Sequence, residues 1–160
     1  MSDAAGRFSE AAATAGLIPD VRQFPEGTRT AADAARAIGC DVGQIVKSLV
    51  FVAGGEPVLA LTSGRNRVDT AKLAALCDAP DARKATADEV RAATGYVIGG
   101  TPPFGHPTRL RCFGDPDLMD FDMVWAAGGT ADSVFPLDPG ELMRLAGARV
   151  APFTETRPAG

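Results

Sequence analysis

Two apolar runs separated by a Gly-Gly turn set the frame of this chain. IVKSLVFVA (45–53) and PVLALTS (57–63) flank Gly54-Gly55-Glu56, and β-rich runs around such a turn form a hairpin. Both runs are almost continuously apolar, so both faces of the hairpin are expected to be covered by other elements. The exception is the pair Lys47-Ser48, set inside the first strand. Burying an ammonium is costly unless it is paired or meets an anionic ligand. Lys47 therefore either reaches water from a sheet edge or lines a pocket for a carboxylate, carbonyl or phosphate.

The remaining elements are read around that hairpin. A weak helix is expected over residues 3–18, with Phe8, Ala12 and Ala15 inward, and a short strand over VRQF (21–24), ended by Pro25. Thr30 opens a helix with Asp33 in a capping-box position, and Gly39 stops it. A helix over 68–77 carries Leu73 and Leu76 inward, and RKA (83–85) is a brief strand. Thr86 and Glu89 form a second capping box, for a helix ended by Gly95. YVIGG (96–100), RLRCF (109–113), MVWAAGG (123–129) and SVFPL (133–137) read as strands. Between them DPDLMDF is a helical turn capped by Asp115, with Pro116 at its first position. Asp138 caps the last helix, and ARVAPF (148–153) follows it. Hairpins and helices in irregular order predict an α+β fold with a mixed, mostly antiparallel, barrel-like sheet flanked by helices.

Composition excludes several functions. A chain of 160 residues buries roughly 70% of its unfolded surface, enough for a core without disulfides or metal. No apolar stretch is long enough to span a membrane, and the N-terminus lacks the features of a signal peptide, so a cytoplasmic location is expected. The net charge is −4, which argues against gripping long duplexes by their phosphates and against DNA as a partner. Cys40, Cys77 and Cys112 are far apart and His106 is the single histidine, so no zinc site is expected and no cofactor is implied. Asp115, Asp117, Asp120 and Asp122 cluster in sequence but read as a capped, solvated surface turn. A triad built on His106 lacks a nearby acidic partner, and dinucleotide, P-loop and nucleophile-elbow motifs are missing.

Two glycine-rich loops complete the candidate chemistry. GGTPPFG (99–105) combines glycines, which allow close backbone approach, with two prolines that freeze the loop. A pre-set wall of this kind discriminates by size. GGTAD (128–132) follows a strand, and its Thr130 and Asp132 either face a ligand or cap the turn.

IVKSLVF, SGRNRVDTAKLAAL, GYVIGGTPPFGHP and WAAGGTADSVFPLDPGEL, in this order, resemble the YbaK/prolyl-tRNA-synthetase-associated domain family. The resemblance spans roughly residues 20–153 and implies a single editing domain over 1–160. It implies a freestanding hydrolase that removes a small amino acid (Ala, Cys, Ser or Thr) from mischarged tRNA, with tRNA for proline the expected substrate. Lys47 matches the family's essential lysine. Gly99 and Pro103 match its G-x-x-x-P loop, with Gly100, Phe104, Gly105 and His106 beside them. Gly128, Gly129 and Thr130 match the loop on the other side of the pocket, and Ser48 follows the lysine. Asp132 stands where alanine-specific members tend to have His or Asn.

The residue inventory is compatible with that chemistry. An aminoacyl ester is activated, so its hydrolysis needs no metal and no protein nucleophile, only a positioned water and stabilisation of the oxyanion. The family implies help from the terminal ribose hydroxyl. The expected partners are the aminoacyl-tRNA acceptor end and, as a candidate protein partner, prolyl-tRNA synthetase. Local positive charge for the acceptor end is offered by Arg65, Arg67 and Lys72, or by Arg109 and Arg111. The competing readings are a non-catalytic module that binds aminoacyl or nucleotide groups, and a regulatory nucleic-acid-binding protein.

Overall fold

The computed structural model describes residues 3–24 and 30–156. The hairpin forms as expected from β2 (Val46–Ala53) and β3 (Glu56–Ser63). The turn is tighter than GGE: Ala53 pairs with Glu56, and only Gly54 and Gly55 lie outside the ladder. Both have positive φ, 57° and 83°, as a two-residue turn matched to strand twist requires.

The hairpin sits in a five-stranded sheet ordered β4-β2-β3-β5-β8, with β4 at Ala82–Lys84, β5 at Arg111–Gly114 and β8 at Arg149–Val150. β2 pairs antiparallel with β3 and β4, whereas β3–β5 and β5–β8 are parallel. A second, three-stranded antiparallel sheet has the order β1-β7-β6, with β1 at Arg22–Gln23, β6 at Val124–Ala127 and β7 at Ser133–Leu137. The two meet at a parallel bridge between Ile45 and Trp125. The mixed, mostly antiparallel α+β reading holds, but neither sheet closes on itself. The five-stranded sheet ends on strands of three and two residues, too short to carry a ladder around a barrel.

Five α-helices flank the sheets: α1 (Ala4–Thr14), α2 (Ala31–Ile38), α3 (Thr70–Leu76), α4 (Ala87–Thr94) and α5 (Pro139–Ala146). Their ends follow the cap residues. The Thr86–Glu89 box is complete, and Asp138 accepts from the Glu141 N–H. The Thr30 box is half made: Thr30 Oγ1 accepts from the Asp33 N–H, but the Asp33 carboxylate turns to Arg36. Ala15 ends α1 and is exposed, and Pro25 lies outside the described residues.

YVIGG is not a strand. The Gly100 N–H bonds to the Val97 carbonyl and Gly99 has φ 85°, so the run closes into a turn that leaves Val97 and Ile98 exposed. The turn closed by this hydrogen bond takes the run out of any strand ladder.

Alternation along the hairpin divides the core. Val46, Val50, Leu59 and Leu61 face a cluster containing Phe8, Phe104 and Phe135; Phe51, Ala53, Val58 and Ala60 face Leu73, Phe113 and Phe153. Both faces are covered, as the apolar runs predict. Phe135 is fully buried and packs tilted against Phe8 and edge-on against Phe104, at centroid distances of 4.9 and 6.2 Å. Phe135→Ala is expected to cost about 3–5 kcal/mol, read as a lower midpoint in urea unfolding.

Candidate functional site

The hairpin is covered unevenly at its edges. β3 pairs with β2 along its whole length, whereas β4 pairs only with residues 51–53, extended by the Ala85 N–H donating to the Val50 carbonyl. In an antiparallel ladder the backbone groups of successive residues point to opposite edges. The Gly64 N–H donates to the Ile45 carbonyl, so odd-numbered residues of β2 serve β3. Those of Val46 and Ser48 turn to the other edge, which β4 does not reach at Ser48.

A cavity of about 520 Å³ opens there. The first strand lines it with Lys47, Ser48 and Leu49, the turn after α4 with Ile98, Gly99 and Thr101, and the three-stranded sheet with Trp125, Ala127, Ser133 and Val134. Small residues of α2, Ala31 and Ala34, cover another side. The Ser48 hydroxyl is buried and has no hydrogen-bond partner.

Lys47 is half-buried on the face shared with Thr62, and its Nζ donates to the Asn66 carbonyl at 2.5 Å. Asn66 is itself anchored. Its Nδ2 donates to Asp115 Oδ2 and Asp117 Oδ2, both at 2.8 Å. Asp115 is 1% exposed and also accepts from the Ser63 N–H at 3.0 Å. The aspartate turn is therefore not simply a solvated cap, because its first carboxylate is a buried brace for the loop that receives Lys47. Sequence reading missed Asn66 and Asp115. Their only signals were an amide beside two arginines and a cap residue next to the apolar end of β5. Desolvation lowers the Lys47 pKa, as does Arg67; Asp115 opposes the shift, and Lys84 adds to the lowering.

Of the residues expected at the site, Lys47, Ser48 and Gly99 line this cavity. Gly100 props it from behind: a Cβ there would lie 2.8 Å from the Thr130 carbonyl carbon, so only glycine lets the two loops meet. Gly128, Gly129 and Thr130 form the turn behind the lining residues. A Cβ at Gly129 would meet the Ala4 carbonyl at 2.8 Å. Asp132 accepts from Thr130 Oγ1 at 2.7 Å, within its own turn; its neighbour Ser133 lines the cavity while its hydroxyl accepts from the Thr130 N–H and donates to the Thr130 carbonyl. Thr130 Oγ1 also lies 2.7 Å from the Ser133 hydroxyl.

Pro103, Phe104, Gly105 and His106 lie elsewhere. They line a separate cleft of about 400 Å³ with Arg109 and Arg144. Phe104 packs in the core against Phe8, 5.6 Å between centroids, rather than bulking the wall beside Lys47. His106 bonds the Pro102 carbonyl at 2.8 Å, and burial lowers its pKa. Lys72 donates to the Thr154 carbonyl, Arg67 approaches Glu155 at 3.8 Å, and Arg65 lies over the Phe121 ring. Among the described residues no three His, Cys, Asp or Glu side chains converge as metal ligands. Cys112 is buried, which pushes its thiol up to about 12.

The lowered Lys47 pKa has a stability consequence. The unfolded chain holds the proton more tightly, so the charged lysine costs stability, and that cost fades as pH rises through the folded pKa towards 10.5. Lys47→Met is expected to be more stable than the wild type at pH 7. The gain should stay below about 1 kcal/mol, because water screens a half-exposed ammonium. Urea unfolding at pH 7 and pH 10 should show the difference shrinking at the higher pH.

Comparisons with known proteins converge on one family. The model of the aminoacyl-tRNA editing domain family matches residues 25–145. The uncharacterized protein YwhH of Bacillus subtilis is 33% identical over 132 residues, 82% of this chain and 83% of that protein. The proline–tRNA ligase of Nitratidesulfovibrio vulgaris is 35% identical over 102 residues, 64% of this chain and only 18% of the ligase. A crystal structure described as a candidate trans-editing enzyme for prolyl tRNA synthetase superposes with a TM-score of 0.91 at 47% identity, covering 98% of this chain and 99% of the other. This chain belongs to the aminoacyl-tRNA editing domain family.

Proposed function

We propose that the protein is a cytoplasmic hydrolase that deacylates mischarged tRNA carrying a small amino acid, with tRNA for proline as its substrate and prolyl-tRNA synthetase as the enzyme whose errors it clears. The observation that carries this reading is the cavity at the uncovered edge of β2, lined by the half-buried Lys47, by Ser48 with its partnerless hydroxyl, and by a strand edge that β4 does not reach. Family membership supplies the reaction class, and the likeness to a structure described in terms of prolyl-tRNA synthetase favours the tRNA.

In this reading the aminoacyl ester enters with its carbonyl beside Lys47. Water adds to the carbonyl carbon, negative charge develops on the carbonyl oxygen, and the bond to the ribose oxygen breaks. The products are the free amino acid and tRNA with a free terminal hydroxyl. Lys47, steered by its bond to the Asn66 carbonyl, stabilises the oxyanion or holds a neighbouring phosphate. The Ser48 backbone N–H and hydroxyl are further donors on the same wall. A cavity of about 520 Å³ exceeds the needs of a small side chain, and the remainder suits the terminal nucleoside.

Lys47→Ala should stay folded by circular dichroism and lose single-turnover deacylation by at least about tenfold, or ~1.4 kcal/mol of transition-state stabilisation. Wild-type rates in the folded variant would remove Lys47 from the chemistry. Tight binding of aminoacyl-tRNA by wild type without turnover would favour a non-catalytic binding module.

Acyl selectivity is assigned to the wall made by Ala31, Ala34, Ala127 and Ser133. On one tRNA, Ala, Cys, Ser and Thr esters should be cleaved faster than Leu or Phe esters. Ser133→Ala should shift the ratio of Ser and Thr to Ala by several-fold, because a hydroxyl partner discriminates only where it meets the substrate. Asp132→Ala should leave that ratio nearly unchanged. Equal rates for Phe and Ala esters would refute the small-pocket assignment.

A further inference from the structure

On the opposite margin of the five-stranded sheet lies a cleft of about 400 Å³ lined by Arg109, Arg111, Arg149, Gly147 and the start of β5. No carboxylate lines it. Outside the cleft, Arg22, Arg36, Arg67, Arg83 and Arg144 each have an acidic side chain within 4.0 Å, while Arg7 and Arg65 lie over the Tyr96 and Phe121 rings instead. Among the described residues none of the three cleft arginines has such an acidic partner, although acidic residues outnumber basic ones, 20 to 16.

Two of the guanidinium groups are held in place by neutral contacts. Arg111 donates to the carbonyls of Leu76 and Cys77 at the end of α3, at 3.1 and 3.4 Å, and lies over the Phe113 ring. Arg109 rests against Gly147, where a Cβ would collide with its guanidinium. Gly147 has φ 62° as the left-handed residue that ends α5, so local backbone geometry and room for the arginine favour the same residue. Each guanidinium has five N–H donors, and these contacts leave several free. Planar, permanently charged forks with unspent donors match phosphate oxygens.

We propose that this cleft is a phosphate-binding site for the sugar-phosphate backbone of an RNA duplex. The cleft is a contact separate from Lys47, because Lys47 is held at the Asn66 carbonyl and Arg111 at the end of α3. Arg111 pairs with Val58 and Lys47 with Thr62, four residues along β3 and two strands apart. That separation is about 16 Å between Cα positions from ordinary strand rise and spacing. With the ester bond beside Lys47, the phosphates at the cleft are assigned to nucleotides upstream of the terminal one, where the single-stranded end meets the stem. This identification of the RNA rests on the deacylase reading; the charge geometry of the cleft does not.

The test uses the full chain, with Arg109→Ala and Arg149→Ala combined. Both side chains are exposed, and urea unfolding should confirm an unchanged fold. Binding of an uncharged acceptor-stem hairpin ending in single-stranded CCA is followed by fluorescence anisotropy across a salt series. Deacylation is measured in parallel on mischarged full-length tRNA and on a short aminoacylated CCA trinucleotide. The hairpin should bind about tenfold more weakly to the double variant, with a salt slope smaller by about 1 to 2. KM for full-length tRNA should rise while kcat holds, and cleavage of the trinucleotide should be unchanged.

Wild-type hairpin affinity and salt slope in the double variant would overturn the cleft and leave the deacylase reading intact. Equal loss on trinucleotide and full-length tRNA would also overturn it, since a remote phosphate site cannot affect a substrate that lacks those phosphates. Arginine-dependent hairpin binding by a protein that cleaves no ester would sustain the cleft and sink the deacylase reading.

Discussion

The candidate site exists because β2 is longer than the strand that covers its outer edge. β3 takes up one side of β2 for its full length, while β4 stops after three residues. An uncovered strand edge inside a folded chain leaves hydrogen-bonding groups that must be met by water, a ligand or another chain. Here the gap is roofed by the three-stranded sheet, the turn after α4 and α2, which turns an edge into a cavity. The two sheets are joined at the Ile45–Trp125 bridge, immediately before the residues left uncovered. Moving that bridge or lengthening β4 would close the cavity by ordinary strand pairing.

Within the cavity the lysine is governed by competing terms. Its ammonium loses hydration and meets a peptide carbonyl, while Arg67 and Lys84 repel it and Asp115 draws it in. Such a group is a poor contributor to stability and a good receiver of an electron-rich ligand. Asp115 serves twice, capping the turn Pro116–Asp120 and bracing Asn66, which connects the end of β5 to the lysine loop. Removing the carboxylate would both free a helical turn and loosen the acceptor that aims Lys47.

Positive charge is distributed with the same economy. Paired arginines on the surface contribute little to stability and present little field. Arg109, Arg111 and Arg149, with no acidic partner among the described residues, form a local anion site on an acidic protein, which allows contact with a polyanion at one place without general affinity for it. The acidic net charge and a nucleic-acid partner are thus compatible.

Local chemistry decided much of this protein. Alternation and the Gly-Gly turn specify the hairpin; Thr86, Asp115 and Asp138 specify where helical segments begin; Gly39 and Gly95 specify where helices end. The odd lysine in an apolar strand was visible because burying charge is costly wherever it occurs. Which neighbours share a space with it was not visible, because that depends on contacts between residues far apart in the chain. The 99–105 loop looks like one wall in sequence, yet its glycine end faces Lys47 and its Pro-Phe-Gly end packs over α1 into a different cleft. Asp132 and Ser133 are adjacent and both bond Thr130 within the turn, yet only Ser133, the first residue of β7, also lines the cavity. Asn66 and Asp115, 49 positions apart, became one network only when parallel pairing set β5 beside β3.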